Sequence, residues 1–185
     1  EIFFRGLLPI EQIVIKKTKN DIKHTVYNIP ASFDIEVSSF YDKKHEKCAC
    51  MYVWQFGLAG RVIYGRTWEE FEIFLDRLKA ALNLSDSKRL FVYVHNLAYE
   101  FQFINKRLEW DTVFATKERK VVYAREKNGL EFRCSYILSG MSLENVGEHL
   151  TKYKVEKKVG DLDYNKIRHS MTPLTDKEIG YCVND

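Results

Sequence analysis

Three short stretches hold acids at spacings that would do chemistry. In "SFDIEVSSF", residues 32–40, Asp34 and Glu36 interrupt an apolar run. Residues two apart on a strand point to the same face, so Phe33, Ile35 and Val37 turn the other way, into a core. Two like charges side by side cost energy unless something positive lies between them, and a divalent cation meets that need. In "HNLAYEF", residues 95–101, Asn96 and Glu100 stand where a helix opens. Taken alone, Asn96 is a helix cap and Glu100 a first-turn acid favoured by the helix dipole. In "YCVND", at the end of the chain, Tyr181 and Asp185 are four apart and share one face of a helix.

The elements that must position these groups are legible. "IEQIVIKKTKNDIKHTVYNI" alternates around Lys19-Asn20-Asp21 and reads as a hairpin, giving an N-terminal segment over residues 1–30 and a main domain over 31–185. The Asp34 strand follows, then "ACMYVWQFG" and "GRVIYG" as strands joined by a glycine-containing turn. "TWEEFEIFLDRLKAALN" places Trp68, Phe71, Phe74, Leu75, Leu78 and Leu82 on one helical face, and Thr67 with Glu70 forms a capping box. "RLFVYVH" reads as a strand buried on both faces, and "AYEFQFINKRL" as a helix capped by Asn96. Residues 111–137 form two or three strands around Asn128-Gly129. "SLENVGEHL" and "TDKEIGYCVND" are helices, the second with a capping box of Thr175 and Glu178. The order suits an α/β fold of the ribonuclease-H-like type, a mixed sheet flanked by helices, with the Asp34 strand beside the later buried strand.

Composition bounds the partners. The 185 residues suit one domain, 45% of them are hydrophobic, and the net charge is +3, which permits nucleic-acid binding without arguing for it. Aromatics reach 14%, as packing bulk or as platforms for bases. Cys48, Cys50, Cys134 and Cys182 have no framework spacing and are expected as reduced thiols in a cytoplasmic setting. No run approaches the ~18 apolar residues of a membrane span, so no membrane partner is expected. A start at Glu1 and an end inside a helical pattern read as a piece of a longer protein.

Taken together, a D-x-E strand, an N-L-x-x-acid junction and a Y-x-x-x-D helix resemble the three exonuclease motifs of the proofreading domain of family B DNA polymerases, and in particular the protein-primed phage-type branch. "SLENV", from Ser142, matches the branch's Ser/Thr-Leu-x-x-apolar DNA-binding motif, and "GDLDY", ending at Tyr164, resembles a segment upstream of the third motif. The resemblance runs from Ser32 to Asp185. It implies a DnaQ-like 3′→5′ exonuclease fold and two divalent cations, Mg²⁺ with Mn²⁺ as alternative, held by Asp34, Glu36, Glu100 and Asp185. Asp34 would bridge both ions, and Tyr181 would orient the attacking water. It further implies a single-stranded DNA 3′ end bound through Asn96, Tyr99, Ser142, Leu143, Lys158 and Tyr164. The remaining polymerase domains and a terminal protein primer are the other partners of the branch. Gly180 stands where a related nuclease group has histidine, which indicates the tyrosine subtype.

This chain departs from the family at three places. The second-motif acid is Glu100 where the family has Asp, so altered metal geometry is expected. Val37 follows Glu36 where a hydroxyl is usual, with Ser38 one place later. Val159 stands next to "GD" where lysine is usual, with Lys158 displaced by one. Two rival readings are a nucleic-acid-binding domain that has lost metal binding and a free-standing exonuclease. No palm-type motif stands in these residues, so polymerisation is not expected of them. His45, Cys48 and Cys50 lack the fourth ligand and paired spacing of a zinc site and read as turn and strand residues. Lys152, Lys154, Lys157 and Lys158 form a charge run between two DNA-associated motifs, read equally as a solvated face or as a backbone contact.

Overall fold

The computed structural model describes residues 12–16, 23–117, 120–150 and 162–184. The strands are β1 (Gln12–Lys16), β2 (Lys23–Tyr27), β3 (Ala31–Tyr41), β4 (Lys47–Leu58), β5 (Arg61–Gly65), β6 (Lys88–Val94), β7 (Trp110–Ala115), β8 (Val121–Glu126) and β9 (Leu130–Cys134). The helices are α1 (Trp68–Leu82), α2 (Leu97–Ile104), α3 (Ser135–Ser139), α4 (Leu143–His149) and α5 (Asp176–Asn184). One mixed sheet runs β5-β4-β3-β6-β9-β8-β7. β3, β6 and β9 are parallel neighbours, and the outer pairs are antiparallel. β1 pairs with β2, and β2 continues the parallel edge of β6 at Thr25 and Val26. β3 takes up that edge at Ser32 opposite Tyr93.

Alternation along the strands decides the two faces. Phe33 and Ile35 of β3, Leu90, Val92 and Val94 of β6, and Leu130 and Phe132 of β9 are buried in one core with α1. Phe71 stacks on Phe33 at 4.8 Å between ring centroids, and Phe74 meets Phe56 at 5.0 Å. Such pairs add to the gain from burying their area. The capping box of Thr67 and Glu70 is formed, and Trp54 Nε1 donates to the Thr67 carbonyl at 2.8 Å, fixing where α1 begins. Ala59 and Gly60, both at positive φ, make the two-residue turn between β4 and β5. Gly129 is also left-handed, and a Cβ there would lie 2.7 Å from the Ser85 backbone, so this turn requires glycine.

Three expectations need correction. β6 is not buried on both faces: Leu90, Val92 and Val94 are fully buried, whereas Phe91 and Tyr93 are only partly so, because α1 and α2 cover one side. Residues 135–137 belong to α3, since the chain turns helical as soon as β9 ends at Cys134. Asn96 occupies the N-cap position of α2 but makes no side-chain cap bond; it adopts φ 70°, a left-handed conformation that asparagine tolerates.

The opposite face of β3 and β4 is covered by the segment from Leu162 through α5. A bulge between Glu36 and Val37 leaves Tyr52 unpaired beside Val53, and both pack with Leu162, Tyr181 and Cys182. The segment is clamped by Arg168, 2% exposed. Its guanidinium donates to Glu178 Oε1 at 2.6 and 3.0 Å and to the carbonyls of Asp163 and Lys166, and its backbone N–H donates to Ser38 Oγ at 2.8 Å. Glu178 also closes the capping box on Thr175. The Thr175 amide, then the Arg168 guanidinium, hold the Glu178 carboxyl at a pKa of about 2, below its ordinary 4.5. A lowered native pKa gives stability that is complete above about pH 4.5 and is lost as the pH falls towards 2. Acid unfolding of the wild type should therefore steepen in that window, by on the order of 2–3 kcal/mol, and Glu178→Gln should flatten it. Urea unfolding midpoints measured from pH 5 to pH 2 check this; parallel curves would contradict it.

Candidate active site

Parallel pairing sets Asp34 beside the carboxyl end of β6, where the chain turns through Asn96 into α2. Glu100 lies in the first turn of α2, on the side that reaches back to β3. The Asp34 and Glu100 side chains share a hydrogen bond. Glu100 is 4% exposed and Glu36 6%, whereas Asp34 is partly open. Burial first, and then the adjacent Asp34 charge, lift the Glu100 carboxyl to a pKa of about 8. Tyr99, 40% exposed, has its phenol pushed up by burial and then by Glu100, Glu36 and Asp34. Acids from residues 34, 36 and 100 thus form one electrostatic group with Tyr99 at its rim.

Asp34 lines a cavity of about 750 Å³ together with Ser32, Tyr93, His95, Asn96, Ser142 and Leu143. Cys182 and Val183 of α5 close it on the other side, with Gln55 and Gly57 on its floor. Asn96, Ser142 and Leu143, expected from separate motifs, therefore meet Asp34 around one space. Ser142 Oγ accepts from the Asn145 amide at 3.3 Å and caps α4, which starts the helix at the cavity wall.

Tyr181 is brought to the same face of the sheet but not to the cavity lining. It is 5% exposed, packed with Tyr52 and Val53, and its hydroxyl lies 2.9 Å from that of Tyr164. Val53 is the cross-strand partner of Glu36, and the phenol of Tyr52 is raised by burial and then by the Glu36 charge, so this tyrosine cluster borders the acids. Asp185 and Lys158 lie outside the described residues, as do Lys152, Lys154 and Lys157.

The residues fit a divalent cation in their chemistry. Glu100 Oε2 is buried without a hydrogen-bond partner, beside a second carboxyl, and hard cations take such oxygens. Among the described residues, no three His, Cys, Asp or Glu side chains converge as a complete cation cage.

Sequence reasoning missed several supports. Gln55 sits opposite Asp34 and donates from Nε2 to the Cys182 carbonyl at 2.9 Å, pinning α5 over the site. A lone amide inside "ACMYVWQFG" was its signal. His95 Nδ1 lies 3.2 Å from Ser135 Oγ and its ring meets Tyr136 edge-on, so α3 braces the cavity wall. Nothing in "NKIRHS" marked Arg168 as buried. No protein-family model, curated protein or solved structure matches the chain.

A carboxyl raised from 4.5 to about 8 on folding makes the native state less stable as the pH climbs through that range, because the unfolded chain ionises first. In EDTA, Glu100→Gln should gain on the wild type from about pH 4.5 to pH 8, by up to a few kcal/mol at ~1.4 kcal/mol per pKa unit. The difference should be constant above pH 8. Thermal unfolding of both proteins across pH 5–9 measures it, and a difference that does not change with pH would contradict the buried, proton-holding Glu100.

Proposed function

We propose that this domain is a metal-dependent 3′→5′ exonuclease acting on single-stranded DNA. The observation that carries the reading is the convergence of Asp34, Asn96, Ser142 and Leu143 on one cavity, with Glu100 hydrogen-bonded to Asp34 at its edge. Residues far apart in the chain, from the first motif, the second motif and the Ser142–Leu143 stretch, line a single space. The strand order, with β3 beside β6 and antiparallel β4 and β5 beyond, supports a ribonuclease-H-like sheet.

Asp34, Glu36 and Glu100 would hold the cations, with Asp185 as the further acid of the third motif. Bound there, two divalent ions supply an activated water and a stabilised leaving oxygen. The chain's own residues bind and orient. Tyr99, partly exposed beside the acids, offers a face on which the terminal base stacks. Asn96 and Ser142 present an amide and a hydroxyl to the sugar-phosphate within the cavity. Tyr181 shares its hydroxyl with Tyr164, a pair of phenols beside Glu36 suited to ordering water rather than to removing its proton. A second reading, a domain that binds nucleic acid without cutting it, draws on Glu100: a carboxyl that keeps its proton near neutral pH is a weaker ligand.

With end-labelled single strands, wild-type protein should release nucleotides one at a time from the 3′ end in Mg²⁺ or Mn²⁺ and none in EDTA. Asp34→Ala should abolish cutting. Tyr181→Phe should slow it ~10²-fold or less with DNA binding near normal. Binding without cutting in every metal would favour the second reading; activity indifferent to EDTA or running from the 5′ end would refute the first. Glu100→Asp should be slower than wild type, and less so in Mn²⁺ than in Mg²⁺, because Mg²⁺ tolerates displaced ligands poorly. A faster variant in Mg²⁺ would mark Glu100 as an impaired ligand.

A further inference from the structure

Beyond the cavity, the same side of the sheet continues as an open surface over β6, β9, β8 and β7. Its strands are in register, so side chains form rows across them. Tyr93 pairs with Arg133, Arg133 with Tyr123, and Tyr123 with Phe114. The first member of this row, Tyr93, lines the cavity that holds Asp34. The last two stack on each other, ring centroids 5.5 Å apart and planes 24° apart. Phe114 is 48% exposed and the Arg133 side chain 38%, so the row is open to solvent.

The charge on this surface is arranged to face outward. Glu131, 3% exposed, sits beneath and accepts from Arg133 at 2.6 and 2.8 Å; Arg89 and Arg125 reach it at 3.3 Å each. Arg125 also meets Asp111 at 3.7 Å. Three guanidinium groups thus face two carboxylates, and the carboxylate at the centre is buried while the Arg133 cation is displayed. Its guanidinium carbon lies over Phe91, 3.5 Å from the ring centroid, which holds the cation in place.

We propose that this row is a track for the single strand whose 3′ end enters the cavity. The proposal rests on the reading of Asp34 as the point where that strand ends. Bases stack on Tyr123 and Phe114, and the backbone passes Arg133. Aromatic platforms joined by a fixed cation suit single strands of any sequence, because every base has a π-face and every nucleotide a phosphate. Three inter-strand steps of ~4.8 Å span roughly 14 Å, which is about four nucleotides at a stacked spacing of ~3.4 Å. The track therefore engages only strands longer than those that fill the cavity alone. A protein segment lacks the regular anions that would use Arg133.

The test is binding of fluorescent oligothymidylates of three and twelve nucleotides, measured by anisotropy in EDTA so that no cutting is needed. Phe114→Ala alters a half-exposed residue of an edge strand. Arg133→Gln leaves Glu131 its bonds to Arg89 and Arg125. Unchanged unfolding midpoints confirm that both variants fold. Each should bind the twelve-mer roughly five- to hundred-fold more weakly and the three-mer as wild type does. Arg133→Gln should also lower the slope of log affinity against log salt by ~0.7. Equal losses on both lengths, or no loss on either, would overturn the track, as would salt slopes identical to wild type. An active nuclease with indifferent variants would refute the track alone. A chain that cuts nothing yet binds long strands through Phe114 and Arg133 would refute the nuclease alone.

Discussion

Two carboxyl groups, Asp34 and Glu100, share a hydrogen bond where β3 passes the carboxyl end of β6, and the surrounding structure has to hold them there. Like charges at this range repel, and burial adds to the cost. The protein answers by leaving a proton on Glu100 near neutral pH. Burial is the first cause of that preference and the Asp34 charge the second, so a cation bound between the two carboxyls would favour release of the proton.

Holding the pair requires both faces of the sheet to be fixed. On the core side, Phe33 and Ile35 anchor β3 against α1, so Asp34 and Glu36 are forced to the other side. On that side, the Arg168–Glu178 pair locks α5 down, and Gln55 ties it to β4 within reach of Asp34. A buried ion pair adds little net stability over an apolar replacement, yet breaking one partner costs ~3–5 kcal/mol. Its value here is positional: it ties the segment that carries Tyr164 to the helix that carries Tyr181, and both to Ser38 of the Asp34 strand.

Much of this was legible in the sequence, for physical reasons. The i, i+3, i+4 pattern from Trp68 to Leu82 and the Thr67–Glu70 box defined α1, because an amphipathic helix must bury its stripe. Period-two alternation put Asp34 and Glu36 on the face away from the core. What escaped were features set by tertiary partners. The short continuous run "RLFVYVH" says nothing about which face a neighbour leaves open, so it cannot show that Phe91 and Tyr93 are only partly buried. Asn96 has the residue type of a cap, but the tight turn out of β6 demands a left-handed backbone and turns its side chain to the cavity instead. Arg168 looks like any surface arginine until Glu178, ten positions further along the chain, folds onto it.

The central claim is that Asp34 and Glu100 together form a cation site. Direct titration of Mn²⁺ into the DNA-free protein, followed by electron paramagnetic resonance, addresses it without depending on catalysis. Wild-type protein should take up the ion, and Asp34→Asn and Glu100→Gln should each bind it at least tenfold more weakly while remaining folded. Binding of equal strength in all three proteins would contradict the account.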